Sequence, residues 1–157
     1  MKHLKIYENF YKSYYKINMI EFYNNFRNIF NEEKNIKDKN KESYSDGIFS
    51  FLDDILPNWQ NNVLAITIEK VIKFILQDKE VECFDVNGTE EIGRVKFVRF
   101  YPKAFSSKKD HFYFNIRFYG GLADVDVECS KTIKIYGEKT KIEKYIEMVS
   151  NTKKYNL

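Results

Sequence analysis

Near Lys79 the apolar residues of this chain change their period, and that switch limits the fold more than any other feature. Leu64, Ile68, Val71, Ile72 and Ile75 recur at helical spacing, with Glu69, Lys70 and Lys73 outside their stripe. Further on, Phe112, Phe114, Ile116 and Phe118 alternate with Tyr113, Asn115, Arg117 and Tyr119, so one set faces each side of a strand. Helices gathered first and strands second make the α+β pattern.

The first half reads as helices. Leu4, Tyr7, Tyr11, Tyr14, Tyr15, Phe22, Phe26 and Ile29 form one stripe, which predicts a long amphipathic helix over residues 4–30. Residues 31–45 are charged and nearly without apolar side chains, so a mobile loop is expected there. Asp46 then caps a short helix carrying Ile48, Phe49, Phe51, Leu52, Ile55 and Leu56, and Pro57 closes it. A helix over residues 61–77 follows; Leu64, Ile66 and Ile68 also alternate, which leaves a strand over residues 63–68 as the other reading.

The second half reads as hairpins. Val81 and Cys83 lead into Asn87-Gly88, a strong turn signal, and the chain returns through Ile92 to Tyr101 before Pro102 ends the strand. Residues 111–119, Asp124 to Cys129 and Thr132 to Tyr136 supply the remaining strands, the last two either separate or continuous. Ile142, Tyr145, Ile146 and Val149 mark a closing helix within residues 138–150, and the tail from Asn151 is expected to fray. The expectation is a single α+β domain over residues 1–157. Residues 1–78 would be mainly helical, packed on an antiparallel sheet of about four to five strands over residues 80–137.

Charge excludes little. The 26 basic and 23 acidic residues leave a net charge of +3, which permits a polyanionic partner without demanding one. The first residues, MKHLKIYENFYKSYYK, hold no signal-peptide core, and nothing reaches the ~20 apolar residues of a membrane span. A cytoplasmic protein without membrane contact is expected. Cys83 and Cys129 then read as small buried hydrophobes without a disulfide. Abundant Lys, Asn, Ile, Tyr and Phe suggest coding DNA rich in A and T, as in some bacteria and their phages or plasmids.

No phosphate-binding loop, dinucleotide fingerprint or zinc spacing occurs, and neither His3 nor His111 has a nucleophile at a diagnostic distance in sequence. No enzyme, cofactor or metal is therefore expected. Asp124, Asp126 and Glu128 share a strand face after Gly120-Gly121, faintly similar to the glycine pair and Asp-x-Asp of nucleotidyltransferases. That family places a helix between glycines and carboxylates; here only Leu122 and Ala123 intervene. An acidic face that discourages edge pairing explains the same residues.

Two surfaces remain as candidate sites. Tyr7, Tyr11, Tyr14 and Trp59 are large aromatics of the kind that anchor protein interfaces, and Asp124, Asp126 and Glu128 could imitate phosphates against a basic groove. Alternatively Arg94, Lys96, Arg99, Lys108, Lys109, Tyr113 and Arg117 could hold RNA or DNA on a basic, tyrosine-bearing sheet. The stretch Pro57-Asn58-Trp59-Gln60-Asn61-Asn62 resembles the opening of YubB-like ferredoxin-like plasmid proteins. In that family it starts the chain and enters a strand, whereas here it follows two expected helices. The expected function is a non-enzymatic inhibitor of phage or mobile-element origin that binds a host or defence-system protein, such as an anti-CRISPR. An RNA- or DNA-binding module and a toxin-neutralising immunity protein are the alternatives.

Overall fold

The computed structural model describes residues 13–41, 46–101, 113–128 and 131–155. Among them the α+β class is plain: helices dominate the first half, an antiparallel sheet the second, and a helix ends the chain. Two compact units share the chain. One comprises Met1–Met19 with Leu76–Glu138 and holds the sheet; the other comprises Ile20–Ile75 with Lys139–Leu157 and holds the helices.

Among the described residues six strands form the sheet, where about four to five were expected. They are β1 (Tyr14–Asn18), β2 (Glu80–Phe84), β3 (Glu90–Tyr101), β4 (Tyr113–Phe118), β5 (Val125–Glu128) and β6 (Thr132–Tyr136), in the spatial order β1-β6-β2-β3-β4-β5. The additional strand is β1, which lies inside the segment expected to be helical. Tyr-Tyr-Lys-Ile is an aromatic and β-branched run suited to a pleated surface, and it pairs with β6 from Tyr14↔Tyr136 to Asn18↔Thr132. The remainder of the expected N-terminal stripe, including Leu4, Tyr7 and Tyr11, lies outside the described residues.

The Asn-Gly turn falls between β2 and β3 as expected. Gly88 takes φ +82, and the Asp85 carboxylate accepts hydrogen bonds from the backbone N–H groups of Asn87 and Thr89, both at 2.8 Å. On one face of the sheet Val81, Cys83, Val95, Val98, Phe100, Phe114, Ile116, Phe118, Val127, Ile133 and Ile135 are buried. Gly93 belongs to this face because the Phe118 ring occupies its side-chain space; a Cβ there would come within 2.7 Å of the ring.

In the helical unit, α1 (Met19–Asn40) runs through most of the expected charged loop. Its buried stripe of Phe22, Phe26, Ile29 and Phe30 continues at helical spacing through Glu33 and Lys37, so two charged residues occupy inward positions. Lys37 is buried and donates to Asp46 at 2.9 Å. Glu33 accepts the backbone N–H of Ile48 at 2.7 Å and the hydroxyl of Tyr145. The carboxylate thus does for α2 (Ile48–Ile55) what Asp46 was expected to do. The N-cap position is Gly47, at φ +61, and Asp46 is engaged by Lys37 instead.

After α2, residues 59–61 form a 3₁₀ turn and α3 spans Leu64–Leu76, so residues 64–68 are helix and not strand. The strand implied by the plasmid-protein resemblance is not formed. The last helix, α4 (Lys141–Tyr155), starts with a capping box in which Thr140 Oγ1 accepts from Glu143 N and Glu143 Oε1 accepts from Thr140 N. It continues beyond Asn151, where fraying was expected, with Lys153 paired to Glu32 of α1.

Candidate interaction face on the sheet

Strand register decides which side chains share the exposed face. Across β1, β6, β2 and the first part of β3, the paired rows are Tyr14, Tyr136, Glu80 and Arg94, then Lys16, Lys134, Glu82 and Ile92. Phe84 of β2 stands opposite Glu90. Beyond Arg94 the register slips: Val95 pairs with Phe118 but Phe97 pairs with Arg117, so Lys96 is the extra residue of a β-bulge. Consequently Lys96 and Phe97, neighbours in sequence, are both exposed while Val95 and Val98 are buried. Arg99, Asn115 and Asp126 make the next row.

Most charges of this face are already paired. Arg117 Nε donates to Asp124 at 2.7 Å, Asn115 donates to Asp126, and Arg94 lies 3.6 Å from Asp78. Lys134 sits 3.9 Å from Glu82, 4.0 Å from the centre of the Tyr14 ring and 5.6 Å from that of Tyr136. The Tyr136 hydroxyl donates to Glu82 at 2.8 Å. A hydrogen bond from Glu90 holds Glu82 below the usual carboxylate range, with help from Tyr136 and Lys134 and against burial; Glu90 is raised in return. Surface pairs of this kind stabilise by ~0–1 kcal/mol each, so they set the layout of charge more than they hold the fold.

Between these pairs stand apolar side chains. Phe84 is 49 % exposed, Ile92 42 %, Phe97 37 % and Tyr119 48 %. Arg99 lies over the Phe97 ring, and Arg94 and Lys96 over Tyr119. The Tyr119 hydroxyl donates to Asp78 at 2.9 Å. The tip of the β2–β3 hairpin meets β5, where Val86 N donates to the Asp126 carbonyl at 3.0 Å. An open cleft of about 360 Å³ lies beside that contact, lined by Asp85, Val86, Phe118, Leu122, Asp124 and Asp126 among others.

The residues singled out in the sequence divide sharply. Asp124, Asp126, Arg94, Lys96, Arg99 and Arg117 are brought together on the β3–β5 part of one face, and Glu128, opposite Tyr113, ends it. The acidic and basic candidates are therefore one surface. Tyr14 is exposed on the same face at the far edge. Trp59 is not available: it is 4 % exposed, stacked on Phe49 at 4.9 Å, edge-on to Phe30, and its indole N–H donates to Asp53 at 2.6 Å. A loop tryptophan expected to anchor a partner is spent inside the helical unit. Tyr7, Tyr11, Lys108, Lys109 and the side chain of Tyr113 lie outside the described residues.

Among the described residues no group of three His, Cys, Asp or Glu could hold a metal ion. Cys83 is buried and free, and burial, reinforced by Glu91, Asp85 and Glu82, pushes its thiol up to about 12, far from a nucleophilic thiolate. Among the described residues no helix is long and apolar enough to cross a membrane.

Phe84, Ile92 and Phe97 escaped the sequence reading. The signal was available for the first two, since each is an apolar residue out of phase with the alternation of its strand. Phe97 required the bulge, which the sequence does not mark. Comparison with protein families, with curated proteins and with solved structures finds no match.

Proposed function

We propose that this protein is a non-enzymatic binding protein that inhibits by covering a partner protein's surface with the exposed face of its sheet. One observation carries the reading: that face exposes Phe84, Ile92, Phe97 and Tyr119 among charges that are largely paired within the chain. A nucleic-acid surface needs cations in excess, because its affinity comes from phosphate contacts and counterion release. Here carboxylates on β2 and β5 stand on either side of the cations. A protein partner instead rewards apolar burial, about 1.5–3 kcal/mol for each fully covered Phe or Ile, and uses paired charges for specificity.

The partner class carried forward is a host or defence-system protein. The bias toward Lys, Asn, Ile, Tyr and Phe supports a phage or mobile-element origin, for which an anti-CRISPR is the most concrete form. Affinity capture of the full chain from its native host tests the reading, with protein and nucleic acid both analysed. The expected result is one protein at near-stoichiometric yield, lost when Phe84→Asp and Ile92→Asp are combined. Recovery of nucleic acid alone, falling steeply with salt, would move the site to the RNA- or DNA-binding alternative.

A further inference from the structure

The charges of the exposed face are not scattered. Along β3 run Arg94, Lys96 and Arg99; β2 presents Glu80 opposite Arg94 at one end of this line, and Asp126 of β5, in the row of Arg99 and Asn115, stands two strands away at the other. The sheet thus carries a basic ridge with a carboxylate set diagonally at each end. Arg94 is balanced at 3.6 Å by Asp78, whereas among the described residues neither Lys96 nor Arg99 lies in an ion pair. The bulge leaves Lys96 on this face and turns Phe97 onto it beside Lys96.

Such a pattern selects by length and direction. Adjacent strands lie about 4.8 Å apart, so the backbone of Glu80 is about 5 Å from that of Arg94 and the backbone of Asp126 about 10 Å from that of Arg99. Both distances are within or near the ~8–10 Å screening length at physiological salt. A long polyphosphate running past either end of the line would meet one of these carboxylates. From Arg94 to Arg99 that line is about 16 Å long, the reach of about five extended residues. A base stacking on Phe97 or Tyr119 would have to share the ring with Arg99 or with Arg94 and Lys96.

We propose that the Arg94–Lys96–Arg99 ridge is the docking line for an extended acidic segment of the partner protein, with carboxylates at alternate positions facing β3. This deepens the protein-binding reading and rests on it. Glu80 at the Arg94 end and Asp126 at the Arg99 end keep the segment on the line by repelling it from opposite sides.

The test titrates the full-length ¹⁵N-labelled chain with a peptide of alternating Glu and Ser, about ten residues long, and separately with oligouridylate of similar charge. The expected result is peptide-induced shifts confined to backbone amides near 94–99 and 115–119, and affinity roughly tenfold weaker in the Lys96→Met, Arg99→Met double variant. Methionine keeps the aliphatic stems, and a dispersed spectrum verifies that the variant is folded. Tighter binding of oligouridylate, shifts elsewhere, or unchanged affinity in the variant would each overturn the ridge. Native-host capture separates the two levels of inference. A protein captured equally by wild type and double variant removes the ridge and leaves the docking face; no protein captured by wild type removes both.

Discussion

Gly93 shows how one residue type can be required by the packing of another strand. It pairs with Val81 of β2, and the Phe118 ring fills the space that a Cβ would need. Gly93→Ala forces the ring to shift in a close-packed region, so a loss of about 1–3 kcal/mol is expected, read as a lower urea midpoint at unchanged slope. Combining it with Phe118→Leu should recover part of that loss; strict additivity of the two changes would contradict the contact. Trp59 teaches the converse. Its neighbours in sequence are Pro57, Asn58 and Gln60, which suggested an exposed loop, yet its burial comes from Phe30 and Phe49, which are distant in sequence. Trp59→Phe gives up the bond to Asp53, whose exposed carboxylate water re-solvates, and part of the buried ring surface, so a loss of about 1–3 kcal/mol is expected in the same measurement.

Among elements, those whose inward positions are apolar were legible and those whose inward positions are charged were not. Period-two alternation located β2, β4 and β6, and the stripe through Ile68, Ile72 and Ile75 located α3. The second half of α1 was hidden because Glu33 and Lys37 take the places that Leu or Ile would mark. Their partners, Ile48 N, Tyr145 and Asp46, are remote in sequence or belong to the backbone. Strand β1 was hidden for another reason: its aromatic residues also fit the helical stripe, and pairing with β6 decides between the two. The capping box at Thr140 and Glu143 was legible but passed unread. Hydrogen exchange provides a direct check on α1. Amides of residues 31–37 should be protected well above a loop, and Glu33→Ala should reduce that protection while also loosening the start of α2. Exchange as fast as that of a charged loop would refute the assignment.

At the scale of the whole molecule, both units contain protonated groups whose loss of a proton is opposed by burial, and this makes stability depend on alkaline pH. Burial and the hydrogen bond to Glu82 push the Tyr136 hydroxyl up to about 12, and burial and the hydrogen bond to Glu33 raise Tyr145 as well. Cys83 is likewise raised, from near 9 to about 12. For each group the folded chain keeps its proton where the unfolded chain gives it up. The contribution is therefore whole below the unfolded pKa and is lost as pH rises through the folded one. Unfolding free energy measured in urea should accordingly hold steady up to about pH 9, begin to fall where unfolded thiols ionise, and fall more steeply above about pH 10 where unfolded tyrosines follow. Comparison of variants isolates each group from the lysines that titrate in the same range. Cys83→Ala should delay the onset toward pH 10, and Tyr136→Phe and Tyr145→Phe should each make the later decline shallower. The two tyrosines lie in different units and bond to different carboxylates, so their effects on the slope should add. An alkaline limb of the same steepness in all three variants would mean that these protons are held no more tightly in the folded chain than in the unfolded one.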